Sequence, residues 1–237
     1  MSGDRLYFRQ LLSGGDFARN DPLARQMVNL VYLIGDRETG EAVAVDPAYA
    51  PHELAEILAG DGMRLVGVLA THYHADHVGG DLLGHGVPGI AELLESVTVP
   101  VHANRLELDW IAETTGIGRP ELVGHEGGDV LAVGALEIVL LHTPGHTPGS
   151  QCLLVEGRLV AGDTLFLSGC GRTDLPGGDP AQLYDSLVNR LARLPDDTVV
   201  YPGHLYSPAG SAPLAEVKEQ NPVLRPRAAE AWMAMFG

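Results

Sequence analysis

The stretch that decides the fold is Thr71-His72-Tyr73-His74-Ala75-Asp76-His77, in which three imidazoles and one carboxylate fall within six residues. It follows the apolar run Leu65–Ala70, which is typical of a buried strand. Side chains placed where a strand ends and the backbone turns can converge on one point, which a regular strand or helix does not allow. Histidine and carboxylate without cysteine favour zinc, iron or manganese over a thiolate-rich structural site. The stretch therefore predicts a metal site.

Three later segments repeat the same arrangement: an apolar strand, a glycine or proline that bends the backbone, and a side chain able to bind a metal. They are His146 after the strand Leu136–Leu141, Asp163 after Arg158–Ala161, and His204 after Val199–Tyr201. Each one alone is weak evidence, because aspartate after glycine is common in turns. Four such segments in one chain predict that their polar side chains form one metal-binding constellation.

Charge and composition argue against two classes of partner. The 237 residues carry a formal net charge of −16, so there is no basic surface to displace counterions from nucleic acid or to bind an anionic membrane. No apolar stretch approaches the ~20 residues that span a bilayer, and the N-terminus has no secretory signal pattern. Cys152 and Cys170 are too few for a disulfide framework and fit a reducing compartment. We therefore expect a cytoplasmic protein that binds neither nucleic acid nor membrane.

Hairpins alternate with helices along the chain. Two apolar pairs, Met27–Ile34 with Ala42–Asp46 and Gln151–Val155 with Arg158–Ala161, are separated by polar, glycine-containing turns and predict hairpins. Tyr184–Leu194 has leucines on one stripe and predicts an amphipathic helix. This order favours layered sheets with helices outside over a doubly wound parallel sheet.

No low-complexity linker divides the chain, so we expect a single domain over residues 1–237. Within it, residues 81–97 contain several glycines and Pro88 and are interpreted as an insertion that could form a lid over the site. Residues 213–237 are expected to form a short C-terminal helical segment.

The metal-capable residues resemble those of the metallo-β-lactamase superfamily, in order, from Val43 to His204. The residues that carry the resemblance are His72, His74, Asp76, His77, His146, Asp163 and His204. The resemblance implies an α/β (α+β) fold, a four-layer αββα sandwich with the metals at one edge between the sheets. It also implies one metal held by His72, His74 and His146, a second held by Asp76, His77 and His204, and Asp163 bridging the two.

By the same resemblance, two divalent metals, expected to be zinc with iron or manganese as alternatives, activate a bridging hydroxide for hydrolysis. Two ions ~3.5–4 Å apart can hold such a hydroxide, and zinc lowers the pKa of bound water towards ~7. Asp76 and Asp163 are therefore the predicted catalytic carboxylates, with Asp76 acting mainly as a ligand and not as a general base.

The segment after Asp163 narrows the range of expected substrates. Gly169-Cys170-Gly171-Arg172-Thr173-Asp174, followed by Leu175-Pro176-Gly177-Gly178-Asp179, resembles two branches of the superfamily. One is hydroxyacylglutathione hydrolase (glyoxalase II), which implies cleavage of a small-molecule thioester of a low-molecular-weight thiol. The other is persulfide dioxygenase, which implies a single iron on His72, His146 and Asp163. The hydrolase is the favoured prediction. The segment after His204 is too short for the thiol-binding domain of larger glyoxalase II enzymes, so the thiol carrier stays open.

A third interpretation is a metal-binding protein without turnover on the same scaffold. Three residues are candidates for substrate binding, each with a competing structural role. Tyr73 could line the pocket or support the metal loop, and Arg172 could bind a substrate carboxylate or pair with Asp174 or Asp179. Tyr206 could donate a hydrogen bond to a developing oxyanion or simply pack.

Overall fold

The computed structural model describes residues 5–225 and 228–236, and this part of the chain contains 14 strands and eight α-helices. The strands are β1 (Leu6–Leu12), β2 (Leu30–Asp36), β3 (Glu41–Val45), β4 (Arg64–Leu69), β5 (Gly80–Leu82), β6 (His85–Val87), β7 (Val101–Asn104), β8 (Leu122–His125), β9 (Val130–Val133), β10 (Leu136–His142), β11 (Gln151–Val155), β12 (Arg158–Gly162), β13 (Val199–Pro202) and β14 (Ala212–Pro213). The α-helices are α1 (Pro22–Met27), α2 (Pro51–Gly60), α3 (Ala75–Val78), α4 (Ile90–Ser96), α5 (Leu108–Thr115), α6 (Pro180–Tyr184), α7 (Leu214–Gln220) and α8 (Ala229–Phe236).

Twelve of the strands form two six-stranded sheets. The first has the order β1-β2-β3-β4-β7-β8, with antiparallel pairs up to β3 and parallel pairs beyond it. The second has the order β14-β13-β12-β11-β10-β9, in which only β12 and β13 run parallel. The short strands β5 and β6 form a separate hairpin.

The two sheets share one apolar core and carry helices on their outer faces. Ile34 and Val43 of the first sheet pack with Leu140 and Leu153 of the second, and all four are buried. Leu54 of α2 packs on the outside of the first sheet. On the outside of the second sheet, buried side chains of α6, α7 and α8 form another cluster with β12. This is the predicted αββα sandwich, so the predicted fold class is confirmed.

The two predicted hairpins are present, β2 with β3 and β11 with β12. The predicted helix at Tyr184–Leu194 differs. The regular α-helix ends at Tyr184 and continues as a π-helix over Asp185–Arg190 and a 3₁₀ turn over Leu191–Arg193. Side-chain bonds draw this segment towards β10, because Ser186 donates to the Pro144 carbonyl at 2.7 Å and Arg190 donates to the His142 carbonyl at 2.8 Å. A stripe of leucines cannot reveal such tertiary bonds.

The segment 81–97 folds as most of the β5–β6 hairpin followed by α4. Val87, Ile90 and Leu93 anchor it in the core, and the Pro88 carbonyl accepts a 2.7 Å bond from the Tyr49 amide. Leu83 at the tip of the hairpin is 94% exposed. Whether this segment covers the site stays a prediction.

The described C-terminal segment is mainly helical, with α7, a 3₁₀ turn at Pro222–Leu224, and α8, and its first residue, Pro213, belongs to β14. Residues 226, 227 and 237 of the predicted segment 213–237 lie outside the described residues. None of the helices in the described part of the chain combines the length and hydrophobicity that a membrane crossing needs.

Candidate metal centre

All the predicted ligands follow strands that end at one edge of the sandwich. His72, His74, Asp76 and His77 lie in the loop after β4 and in the short helix α3 that follows it. His146 follows β10, Asp163 follows β12, and His204 follows β13. Because these strands belong to two facing sheets, their ends bring side chains that are far apart in sequence into one cluster.

The described residues contain three overlapping groups of three donor atoms, one of which is Asp46, His72 and His77, and the other two are the predicted ligand sets. The first donor group is His72, His74 and His146, and the second donor group is Asp76, His77 and His204; within each group the donor atoms lie within 4.8 Å of one another. In the first, His146 Nε2 lies 3.0 Å from His74 Nδ1. In the second, His77 Nε2 and His204 Nε2 are 3.2 Å apart, and Asp76 Oδ2 lies 3.3 Å from His204 Nε2. These are the two sets that the resemblance implies.

Asp163 lies between the two donor groups. Its Oδ1 is 3.3 Å from His77 Nε2, and its Oδ2 is 3.4 Å from His204 Nε2 and 3.7 Å from His146 Nε2. A Cβ at Gly203 would overlap Asp163 Oδ1, so only glycine leaves room for this carboxylate. The position fits a bridging ligand.

Hydrogen bonds on the far side of the rings aim four histidines at the cluster. Three rings meet groups that only accept: His77 Nδ1 at Asp46 Oδ2 (3.0 Å), His146 Nδ1 at the Arg172 carbonyl (2.7 Å) and His204 Nδ1 at the Met27 carbonyl (2.8 Å). His72 Nδ1 lies 3.0 Å from the Thr71 hydroxyl, which itself donates to Asp46 at 2.6 Å. Each Nδ1 is therefore the donor, and Nε2 is the nitrogen of each ring that faces the cluster and can bind a metal.

This donor set fits divalent metal ions. His72 Nε2 and Asp163 Oδ1 are buried and have no hydrogen-bond partner among the described residues, and a buried polar atom without a partner is costly. Neutral imidazoles with two carboxylates suit zinc, iron or manganese. A bound ion would use the lone pairs that the Nδ1 bonds direct inward.

Two residues of the centre were missed at the sequence level. Asp46 accepts from the Thr71 amide and hydroxyl and from His77, so it orients both donor groups. It ends the run Ala42–Asp46, and thus had the same strand-end signal as the ligands. Asn29 contacts the second donor group, and its signal was a single amide inside the apolar run Met27–Ile34.

A family model described as the metallo-beta-lactamase superfamily matches residues 25–204, a range that includes every residue of both donor groups and Asp163. This chain belongs to the metallo-β-lactamase superfamily.

Relatives within the metallo-β-lactamase superfamily include proteins named for two different activities. A hydroxyacylglutathione hydrolase of Polaromonas sp. is 40% identical over 182 residues, which are 75% of this chain and 62% of the relative. The mitochondrial persulfide dioxygenase ETHE1 of Homo sapiens is 32% identical over 212 residues, which are 85% of this chain and 76% of the relative. The crystal structure of ETHE1 from Myxococcus xanthus superposes with a TM-score of 0.77 at 31% identity, covering 97% of this chain and 89% of that one.

The two donor groups of this metallo-β-lactamase centre differ in the pKa values of their histidines. Burial, with the charge of neighbouring histidines, lowers the pKa of His74 to about 4 and that of His72 well below its usual range. Burial also lowers the pKa of His204, but the carboxylates of Asp163 and Asp76 outweigh it and raise the value to about 9. The second donor group therefore has the more negative surroundings, in which added positive charge is stabilised.

Two of the three predicted substrate residues make structural contacts at the rim of the centre. The Tyr73 ring stacks on Trp110 at 4.8 Å, and its hydroxyl donates to the Pro176 carbonyl at 2.8 Å. Arg172 forms a bidentate pair with Asp174, with both bonds at 2.6 Å. These contacts agree with the structural alternatives, and a role of either residue in substrate binding stays a prediction.

Tyr206 lies beside the second donor group and is half exposed. Its ring stacks on His204 at 4.8 Å with an interplanar angle of 7°, and Phe166 meets it edge-on at 5.1 Å. Burial and the charges of Asp163 and Asp76 raise the pKa of Tyr206 to about 12, so it is a proton donor at neutral pH. Its predicted role towards an oxyanion stays a prediction.

Proposed function

We propose that this chain is a metal-dependent hydrolase that cleaves a small-molecule thioester of a low-molecular-weight thiol in the cytoplasm. One observation carries the proposal: the second donor group is as complete as the first, and Asp163 contacts both. A hydrolase that uses two metals needs both groups. Because the dioxygenase branch can carry the same seven residues around a single iron on His72, His146 and Asp163, the number of bound ions and the activity, and not the ligands, separate the two candidates.

When bound, a pair of divalent zinc-like ions supplies an activated water nucleophile and stabilises negative charge on the attacked carbonyl oxygen. The residues of this chain orient the ligands of these ions and balance their charge. The Asp46 carboxylate and the Arg172 and Met27 carbonyls fix the ring orientations, and the carboxylates of Asp76 and Asp163 balance the positive charge.

Similarity to the Polaromonas hydrolase supports a thioester as the substrate. The chain spans 62% of that relative, so glutathione is not carried over as the thiol half of the substrate. We propose the thioester bond as the reacting group and leave the carrier to experiment.

The test pairs metal analysis with turnover. Purified protein is reconstituted with zinc, iron or manganese and assayed against thioesters of glutathione, coenzyme A and cysteamine. The proposal expects two ions per chain and thioester cleavage that is lost in His146→Ala and kept in the matched control His52→Ala. Full turnover after exhaustive chelation would contradict it.

A second candidate is a persulfide dioxygenase. The observation that favours it is coverage, because the chain matches 76% of the human persulfide dioxygenase and 89% of the Myxococcus xanthus ETHE1 structure. One iron per chain with oxygen uptake on a thiol persulfide, and no thioester cleavage, would transfer the assignment to this branch. Bound metal without either activity would support the non-catalytic interpretation.

A further inference from the structure

Asn29 places its side-chain amide against all three donor atoms of the second donor group. Its Nδ2 donates to Asp76 Oδ2 at 3.1 Å and lies 3.4 Å from His77 Nε2 and 3.5 Å from His204 Nε2. The residue is 2% exposed. Asn29 is not one of the ligands in either donor group.

The orientation of this amide is fixed from both ends. The Asp76 carboxylate only accepts hydrogen bonds when ionised, so the NH₂ end must face it. The Tyr49 hydroxyl donates to Asn29 Oδ1 at 3.1 Å, which holds the oxygen on the other side. The backbone is held as well, because the Ser13 amide donates to the Asn29 carbonyl at 2.9 Å.

The amide and a metal ion compete for the same three ligand atoms. His77 and His204 donate through Nδ1 to Asp46 and Met27, so Nε2 is the nitrogen of each ring that can bind a metal. The Asn29 Nδ2 lies within 3.5 Å of both Nε2 atoms and donates to the third ligand, Asp76. A cation that binds there must displace this amide.

The first donor group has a different environment. His72 Nε2 has no hydrogen-bond partner among the described residues. His146 Nε2 lies 3.0 Å from His74 Nδ1, which is a ligand of the same group and not a side chain from outside it. The two groups therefore differ in what an incoming ion has to displace, although each offers three ligand atoms.

We propose, on the basis of the metal centre of the proposed function, that Asn29 is a positioning residue. Its amide makes the second donor group the weaker of two metal sites. The first site fills at limiting metal, and the second fills only at higher metal concentration. Asn29 thereby sets whether the chain carries one ion or two, which is the property that separates the two candidate activities.

The test measures metal affinity and not turnover. Metal-free wild type, Asn29→Ala and the control Asn104→Ala, which removes a buried amide that caps the turn after β7, are titrated with zinc against a chromophoric chelator. Wild type should show two separated dissociation constants. Removing one competing hydrogen bond should tighten only the weaker constant, by about 3- to 10-fold, and Asn104→Ala should match wild type.

Asn29→Asp provides a second variant, because it keeps the shape but replaces the N–H donors with an acceptor. Its weaker constant should tighten more than that of Asn29→Ala, and zinc should raise its melting temperature more than that of wild type. Equal constants in wild type, or a weaker second constant in Asn29→Ala, would overturn the inference while leaving the proposed function intact. Wild type that binds no zinc would overturn the proposed function itself.

Discussion

Glu107 has a buried carboxyl that joins the two loops that carry the first donor group. Its ionisation predicts how the stability of the protein changes with pH. Its Oε1 accepts from the Gly149 amide at 2.6 Å and from the Thr147 hydroxyl at 2.8 Å, one to three residues beyond His146. Burial raises the pKa of Glu107 to about 7 from an ordinary 4.5, although the Thr147 hydroxyl and the amides of Gly149 and Tyr73 partly oppose it.

The sign of the pH effect follows from this raised pKa. Below about pH 4.5 the carboxyl is protonated in both the folded and the unfolded chain, and its stabilising contribution is fully present. As the pH rises, the unfolded chain ionises first, and the contribution is lost until the folded protein ionises near pH 7. The difference corresponds to a loss on the order of 3 kcal/mol.

Glu107→Gln is an uncharged substitute that keeps an oxygen for both donors. We expect the free energy of unfolding of this variant, relative to wild type, to rise by about 2.5 kcal/mol between pH 5 and pH 8, because part of the loss has already occurred at pH 5. Glu107→Ala also lacks the ionising carboxyl, so its stability relative to wild type should rise with pH by the same amount. Because it leaves the Gly149 amide without its acceptor, it should be less stable than Glu107→Gln by about 1–3 kcal/mol at both pH values.

Urea unfolding followed by circular dichroism at pH 5 and pH 8 measures these differences, and pH effects common to all variants cancel. A Glu107→Gln variant whose stability relative to wild type is flat or falls with pH would refute the reasoning. That result would mean that the ionised carboxylate is the form the loops need.

Two further changes test the centre and the core. Asp46→Asn removes the charged acceptor of His77 and Thr71 and should weaken zinc binding by about 10- to 100-fold in chelator competition; an unchanged affinity would mean that Asp46 does not orient the ligands. Leu140→Ala opens a cavity between the sheets and should lower the free energy of unfolding by about 2–5 kcal/mol, and a loss below 1 kcal/mol would contradict the shared core.

The strand-end pattern was sufficient to find the cluster, because every ligand lies shortly after one of four strands and the signal is local. The division into two donor groups came from the family resemblance, since spacing cannot show which histidine faces which. Asp46 carried the same pattern but was not selected, because an aspartate before a proline is also an ordinary turn residue. Asn29 could not be assigned, because its role depends on Asp76, which lies 47 positions away.

Elements without a strong pattern of their own were missed. Strand β1 is stabilised by its pairing with β2 from Leu6–Asp36 to Leu12–Leu30, and β14 has only two residues and follows a long loop. In the π-helix at Asp185–Arg190, Arg190 and Ser186 donate to the His142 and Pro144 carbonyls, which are distant in sequence. These features are set by tertiary partners and not by local composition.

The most direct test of the central claim is anomalous diffraction at the zinc absorption edge from crystals grown with excess zinc. The account predicts two peaks per chain. One should lie about 2.0–2.2 Å from the nitrogens of His72, His74 and His146, and the other at the same distance from the donor atoms of Asp76, His77 and His204. Full occupancy elsewhere on the molecule, with no peak between these side chains, would contradict it.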